Sequence, residues 1–503
     1  MSIDRAAAYR ALQTRDTRFD GRIFVAVHTT GIYCRPICPA RTPKLENIDF
    51  LPSAAAAQAA GFRPCLRCRP ECSPDLAAWH GTSSTVARAL GLIAEGALDG
   101  DDADVGRLAD RLGIGPRQLR RLFTRHLGAS PIVVGQTRRI LFAKQLIHET
   151  RMSMTAVAEA AGFGSVRRFN ATFRGLYGTS PSALRRLAPG SAAVREPVAP
   201  ITLKIGYAGP YDWEAMIAFF AARAIAGVEV VEPRRYRRTI ALDGACGTVE
   251  VAPLSGRDAL AVTVRFPSVR VLPAIIARVR RMFDVGADVA AIDAELARDP
   301  DLAPLVRARP GLRVPGAWDA FELVVRATLG QQITVSGARR LAGKVVAAYG
   351  ARLPDVVAGT ADGLTSLFPS AERLARADLA ALGMPRARAA ALGRLAATAA
   401  ADPRLFERAP DLDAAIARLR ALPGVGDWTA QYVAMRAMRE PDAFPASDVG
   451  LLRAVGTAER RPTARALAAR AEAWRPWRAY AAQHLWTSAP AAGPAVTAEE
   501  AVA

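Results

Sequence analysis

Four cysteines near the start constrain this chain more than any other feature: Cys34-Arg-Pro-Ile-Cys38, then Cys65-Leu-Arg-Cys68. Two close pairs at this separation have the spacing of a tetrahedral zinc site with four thiolate ligands. A unit this small buries too little apolar surface to be stable easily, so a metal staple makes physical sense. The flanks are basic, with Arg35, Arg41, Arg63, Arg67 and Arg69 beside Thr29 and Thr30. A zinc-thiolate among cations can meet a phosphate, and a zinc-bound thiolate is also a nucleophile. The combination points to chemistry on nucleic acid. Cys72 and Cys246 fall outside the pattern and read as ordinary thiols.

The length of 503 residues sets an expectation of three or four domains, each able to build a core. The net charge is +20, and arginine greatly outnumbers lysine. Arginine makes forked contacts to phosphate and guanine, although a GC-rich genome would also inflate it. No transmembrane run or signal-peptide core is visible, so the cytoplasm is the expected location. In that reducing compartment six cysteines argue for metal or catalysis over disulfides.

The pattern divides the chain as follows. Residues 1–78 form the small cysteine-bearing unit, with a first helix, a strand at Arg22–His28 and a short helix at Ala54–Ala60. Residues 82–188 are helical throughout and contain the same order of signals twice. In the first copy, Val105–Ala109 leads through Leu112-Gly-Ile-Gly115 to Pro116–Phe123; in the second, Met154–Ala158 leads through Ala161-Gly-Phe-Gly164 to Ser165–Phe173. A Gly and a Ser-Pro pair follow each copy. This is a doubled helix-turn-helix, whose second helices carry Arg117, Arg120 and Arg121, or Arg167, Arg168 and Asn170, as groove or phosphate contacts. The bland alternative is a helical bundle with solvated arginines. Residues 189–200 read as a linker, 201–272 as a β-rich part, 273–488 as a helical domain and 489–503 as a flexible tail.

In the last domain, Leu422-Pro-Gly-Val-Gly-Asp-Trp-Thr-Ala-Gln-Tyr432 reads as a helix end, a turn on Gly424 and Gly426, and a new helix near Asp427. The glycines allow close backbone approach, and a helix start offers unpaired N–H groups to a phosphate. A helix-hairpin-helix holds DNA this way without reading sequence. Farther on comes Phe444-Pro-Ala-Ser-Asp448-Val-Gly-Leu. A carboxylate just before a helix is commonly an N-cap. Beside the hairpin, Asp448 is read instead as the catalytic group that faces positive charge on a sugar and handles water.

These residues carry three resemblances, which together cover nearly the whole chain. Thr29–Arg41, Glu46-Asn47 and Ala60–Pro70 resemble the zinc-containing amino-terminal domain of the bacterial Ada alkylation-response protein. The resemblance implies zinc held by Cys34, Cys38, Cys65 and Cys68, with Cys34 accepting a methyl group from a DNA methyl phosphotriester. It implies DNA contacts at Thr30, Arg41 and Arg63; where the family often has a further arginine this chain has Pro39. Residues 82–188 resemble the AraC-type double helix-turn-helix. Residues from about 201 resemble AlkA, the 3-methyladenine glycosylase of the helix-hairpin-helix superfamily. Trp428, Tyr432 and Trp486 fall on its base-pocket positions, although core packing would also account for them. Gln332 falls where a leucine wedge fills the gap left by a flipped base, so the wedge is altered or uses a neighbour.

Some family features are absent. There is no Pro-Cys-His-Arg motif, so no O6-methylguanine repair is expected. Trp428 replaces the strand-cleaving lysine of other superfamily members, and no cysteine follows Cys246 to build an iron–sulfur cluster. The expected fold is multidomain and mainly α with α+β parts: a zinc-stapled α/β domain, a double helix-turn-helix, a β-rich subdomain and a helix-hairpin-helix domain. The expected function joins a methyl-acceptor transcription activator to a monofunctional glycosylase for alkylated purines. Its expected partners are alkylated and promoter double-stranded DNA and RNA polymerase. The competing reading is a non-enzymatic zinc-containing regulator whose last domain only binds DNA.

Overall fold

The computed structural model describes residues 5–73, 84–100, 103–186, 200–354, 363–402, 404–407, 409, 411–456 and 461–488. The expected tail, and the expected linker apart from Pro200, lie outside the described residues. Among the described residues no helix is long and apolar enough to cross a membrane.

The first unit is a four-stranded sheet with helices Arg5–Thr14 and Ala54–Ala59. Its strands are β1 (Phe24–Val27), β2 (Ile32–Cys34), β3 (Ile48–Leu51) and β4 (Arg63–Pro64), in the order β3-β1-β2-β4. Its apolar core is small, with clusters around Val25, Ile48 and Tyr33 beside the buried cysteines. The register brings the metal ligands together. β2 and β4 run parallel with Tyr33 opposite Pro64, so Cys34, the last residue of β2, and Cys65, the first after β4, lie side by side.

Seven helices follow over residues 84–186. Both expected helix-turn-helix units are present, as Val105–Leu112 with Pro116–Leu127 and Met154–Ala160 with Val166–Tyr177. Gly113 and Gly162 take left-handed conformations at the turns, where a side chain would be strained. The second helices bury matching faces: Leu119, Phe123 and Leu127 in one, Phe169, Phe173 and Tyr177 in the other. Spacings of four residues put each trio on one stripe, leaving the arginines on the other. The side chains of Asp104, Ser130, Ser153 and Ser165 cap helix N-termini, each worth about 1 kcal/mol.

The second sheet contains β5 (Ile201–Gly206), β6 (Glu229–Glu232), β7 (Arg235–Leu242), β8 (Ala245–Pro253) and β9 (Ala259–Arg265). Its order is β5-β9-β8-β7-β6, antiparallel throughout. Asp243 and Gly244 both have positive φ, the turn that matches strand twist in a tight hairpin. The apolar face of this sheet does not close a core of its own. Leu203, Ile205, Val249 and Val262 share one cluster with Ile140 and Leu146 of helix Pro131–Glu149 and with Val157 and Phe169 of the second helix-turn-helix. The first helix-turn-helix keeps a separate core around Leu108, Leu119 and Phe123. The carboxyl-terminal helices surround the largest cluster, which includes Val324, Leu395, Val433 and Tyr480.

Candidate functional site

The four sulfurs of Cys34, Cys38, Cys65 and Cys68 lie within 4.8 Å of one another. A tetrahedral zinc–sulfur shell at about 2.3 Å would place them about 3.8 Å apart, so the cluster fits one zinc ion. Backbone amides of Arg35 and Arg67 donate to the sulfurs of Cys68 and Cys65 at 3.3 and 3.4 Å, as they would to thiolates. Hydrogen bonding among the crowded sulfurs pushes the Cys34 thiol above its ordinary value and pulls Cys65 well below. Four thiolates cannot share this space without a cation. Cys38, Cys65 and Cys68 are buried, whereas Cys34 is half-buried.

The basic ring divides in two. Arg35 is spent inside the domain on Asp20 and the Cys68 carbonyl. Arg69 is spent on Glu71 and Glu149. Thr30 and Arg41 are exposed and Arg63 is half-buried. Pro39 is exposed, and its carbonyl accepts from Arg15. On the helix-turn-helix units Arg117, Arg120, Arg121, Arg167 and Arg168 are all exposed.

In the carboxyl-terminal domain the hairpin joins helices Leu412–Arg420 and Asp427–Arg436. Gly424 has φ +75 and sits where a Cβ would press on Ala391 at 3.1 Å. A Cβ on Gly426 would meet nothing, so the turn is open to an incoming backbone. Asp448 caps helix Val449–Val455 by accepting from the Leu451 amide at 3.0 Å. The cap occupies only part of the carboxylate. Trp486 Nε1 donates to Oδ1 at 2.8 Å and Trp428 Nε1 donates to Oδ2 at 2.7 Å. Trp428 stacks on Tyr432 at 5.1 Å, and Tyr432 meets Trp486 edge-on at 6.3 Å. The three aromatic residues and Asp448 therefore form one cluster, with the carboxylate tied to both indoles. Gly450 is needed beside it, since a Cβ there would come within 2.9 Å of Asp448 Oδ1.

Sequence reasoning missed the far wall. Phe219 is on helix Trp213–Ala221, and Arg223 follows two residues beyond its end. The Arg223 guanidinium stacks 3.8 Å over Phe219, and that of Arg436 lies 4.5 Å over the same ring. Arg436 Nη1 also donates to the Tyr432 hydroxyl at 2.6 Å. Burial opposes ionisation of Tyr432, but Arg436 and Arg223 outweigh it and hold the phenol below its ordinary value. An aromatic and an arginine four apart on a helix was the available signal. Nothing in it pointed to a partner two hundred residues away.

Gln332 is exposed at φ +61, a strained conformation for a residue with a side chain. Its neighbour Gln331 fixes the segment by donating to the Gly424 carbonyl at 2.9 Å and to Thr429 Oγ1 at 3.1 Å. Arg388 holds the Gln331 carbonyl at 2.8 Å. The Gln332 segment and the hairpin turn are thus one rigid edge. Ile333 and Val335 are also exposed on it.

Comparison with known proteins agrees with each part. Residues 7–71 match the metal binding domain of Ada, 108–187 a helix-turn-helix domain and 202–319 the AlkA N-terminal domain. A Mycobacterium tuberculosis protein named probable bifunctional transcriptional activator/DNA repair enzyme AlkA is 42% identical, covering 97% of each chain. DNA-3-methyladenine glycosylase 2 of Escherichia coli is 37% identical over 55% of this chain and 94% of its own. The solved 3-methyladenine DNA glycosylase of Archaeoglobus fulgidus has a TM-score of 0.50 at 25% identity, covering 56% of this chain and 96% of its own. With its zinc-fitting cysteine cluster, doubled helix-turn-helix and glycosylase-like domain in one polypeptide, the chain belongs to the family of bifunctional transcriptional activator/DNA repair enzymes that joins an Ada-type amino-terminal half to an AlkA-type glycosylase half.

Proposed function

We propose that the chain senses alkylated DNA through Cys34 and excises alkylated purines through Asp448. One observation carries the excision half: a carboxylate held by two indole N–H groups within a cluster of aromatic faces. A 3-methyladenine-like base carries positive charge, so its glycosidic bond is already weak. The nucleotide turns out of the stack and the faces of Trp428, Tyr432 and Trp486 receive the cationic base. The bond between sugar C1′ and the base nitrogen breaks, and its electrons leave with the base. Asp448 faces the positive charge developing on the sugar and takes the proton of the water that adds at C1′. Gly424 and Gly426 let the hairpin hold the neighbouring phosphates. No lysine stands in the hairpin, which supports hydrolysis without strand cleavage.

In the sensor half, a bound zinc ion keeps the ligating sulfurs as thiolates at neutral pH. Cys34 Sγ attacks the methyl carbon of a phosphotriester; the carbon–oxygen bond breaks and its electrons restore the phosphodiester charge. Thr30, Arg41 and Arg63 position the DNA. The domain loses one negative charge, so its affinity for DNA rises. The adjoining recognition helices, with Arg167 and Arg168, then hold promoter DNA, and RNA polymerase is the partner that reads the signal.

The test of the excision half is release of free methylpurines from methylated duplex DNA by the purified chain. A folded, DNA-binding protein that releases none would leave a regulator with a DNA-clamping last domain. The wedge carries its own expectation. Glutamine fills an apolar gap less favourably than leucine, by about 1 kcal/mol for the buried surface involved. Gln332→Leu should therefore tighten binding to a duplex containing an abasic site by about fivefold. Unchanged or weaker binding in an anisotropy titration would remove Gln332 from that role.

A further inference from the structure

Several of the polar groups that join the cysteine domain to the rest of the chain form one line, in which the side chains of Lys144, Glu71 and Glu149 are buried and that of Arg69 is partly exposed. The helix Pro131–Glu149 is its spine. Lys144 is 0% exposed. Its ammonium donates to the Cys65 carbonyl at 3.0 Å and to Glu71 Oε2 at 2.8 Å. Glu71 Oε1 accepts from Arg69 Nε at 3.1 Å, and Arg69 Nη2 donates to Glu149 Oε1 at 2.8 Å. The other oxygen of Glu149 accepts from the backbone amide of Lys204 on β5 at 2.9 Å. Gln145 closes the junction by donating to the Lys204 carbonyl at 2.7 Å. Arg69 reaches its two carboxylates from a left-handed backbone, φ +54, that a side chain rarely adopts.

Chain continuity carries the line onward. β5 runs on to helix Trp213–Ala221, which holds Phe219 and precedes Arg223. Arg436, which lies over Phe219, is hydrogen-bonded to Tyr432 of the aromatic cluster. A path of contacts and continuous chain therefore runs from a cysteine of the metal site to the residues packed against the aromatic cluster.

We propose that this line couples the two halves: the metal state of the cysteine cluster sets the stability of β5, and through it the wall that carries Phe219 and Arg223. A buried ion pair is an inefficient way to hold two domains together, since apolar residues of the same volume do as well or better. What it supplies is one arrangement of donors and acceptors. The Cys65–Cys68 turn is drawn around the metal, and the Cys65 carbonyl and Arg69 are placed by that turn. Without the metal the turn has no reason to keep this shape. Lys144 and Glu149 then lose partners in a place water does not reach, and the junction loosens at Lys204. A methyl group on Cys34 weakens one of the four metal bonds and acts through the same turn. Linkage makes the effect reciprocal: DNA seated at the aromatic cluster should tighten metal binding at the cysteines.

The inference rests on reading the cysteines as a metal site and the aromatic cluster around Asp448 as the excision site, and its test separates these. Hydrogen exchange is followed on the full chain, zinc-loaded and after chelation, for wild type and for Arg69→Met/Glu149→Met, which removes the step from the turn to Lys204. That pair replaces the ion pair with apolar side chains, so no unpaired charge is left behind. In wild type, chelation should raise exchange at the β5 amides about tenfold, and leave the helix Val449–Val455 unchanged. In the double variant β5 should respond less than about twofold. An equal response in both proteins, or none in wild type, overturns the coupling. If the double variant does not fold, Glu149→Met serves, because it leaves Lys144 and Glu71 in place and removes the acceptor of the Lys204 amide. Base release is assayed on the same samples. A zinc-dependent β5 without any base release would refute the excision reading and leave the coupling standing.

Discussion

Asp448→Asn is expected to lower base release by about a hundredfold to ten-thousandfold while the protein stays folded and bound to DNA. The fold should survive because the substitution preserves most of what Asp448 does structurally. Asparagine caps helices about as well as aspartate. Leu451 N and Trp486 Nε1 both donate to Oδ1, which asparagine keeps as a carbonyl oxygen. Only the bond from Trp428 Nε1 to Oδ2 loses its acceptor, at a cost of about 1–3 kcal/mol. What the change removes is the negative charge facing the sugar and the base that takes the proton of water. Single-turnover base release beside an anisotropy titration measures both sides. Normal excision by the variant would refute the role of Asp448 and leave it a helix cap.

Cys34→Ser is expected to abolish methyl uptake outright. Serine oxygen is a poor nucleophile at neutral pH, and the other three cysteines are buried residues. Cys38→Ser is the informative companion. It should weaken zinc binding and destabilise a domain that has little apolar core, yet it leaves the Cys34 sulfur in place. Peptide mass spectrometry after exposure to DNA carrying methyl phosphotriesters reads the result. A methyl group found in the cysteine domain of the Cys34→Ser protein would sink the assignment. In wild type, methylation should also raise affinity for DNA, because a thiolate becomes a neutral thioether.

Much of this site is legible in the sequence because its parts are local. Cys34 with Cys38, and Cys65 with Cys68, fix ligand spacing within single turns, and the β2–β4 register does the rest. The hairpin is written in Gly424 and Gly426, and the doubled helix-turn-helix in Gly113, Gly162 and their flanking stripes. The reading of Asp448 as catalytic and the commoner reading as a cap describe the same side chain, whose two oxygens serve different neighbours. What sequence did not reveal depends on contacts between distant elements. Phe219 and Arg223 carry no sign of a site in the sequence until Arg436 is placed over the ring. Arg35 and Arg69 read as part of a basic ring around the cysteines, but the fold spends them on Asp20, Glu71 and Glu149. The core shared by the second helix-turn-helix and the sheet leaves no mark in either segment, because each is amphipathic alone.

The central claim is that one polypeptide both records alkylation and repairs it. The most direct measurement incubates the purified zinc-loaded chain with methylated duplex DNA, then assays free bases and the mass of the Cys34 peptide together. The account predicts methylpurines released over many turnovers and a single methyl on that peptide that saturates at one per chain. Release of no base and an unmodified Cys34 peptide, from a chain that folds and binds the DNA, would contradict it.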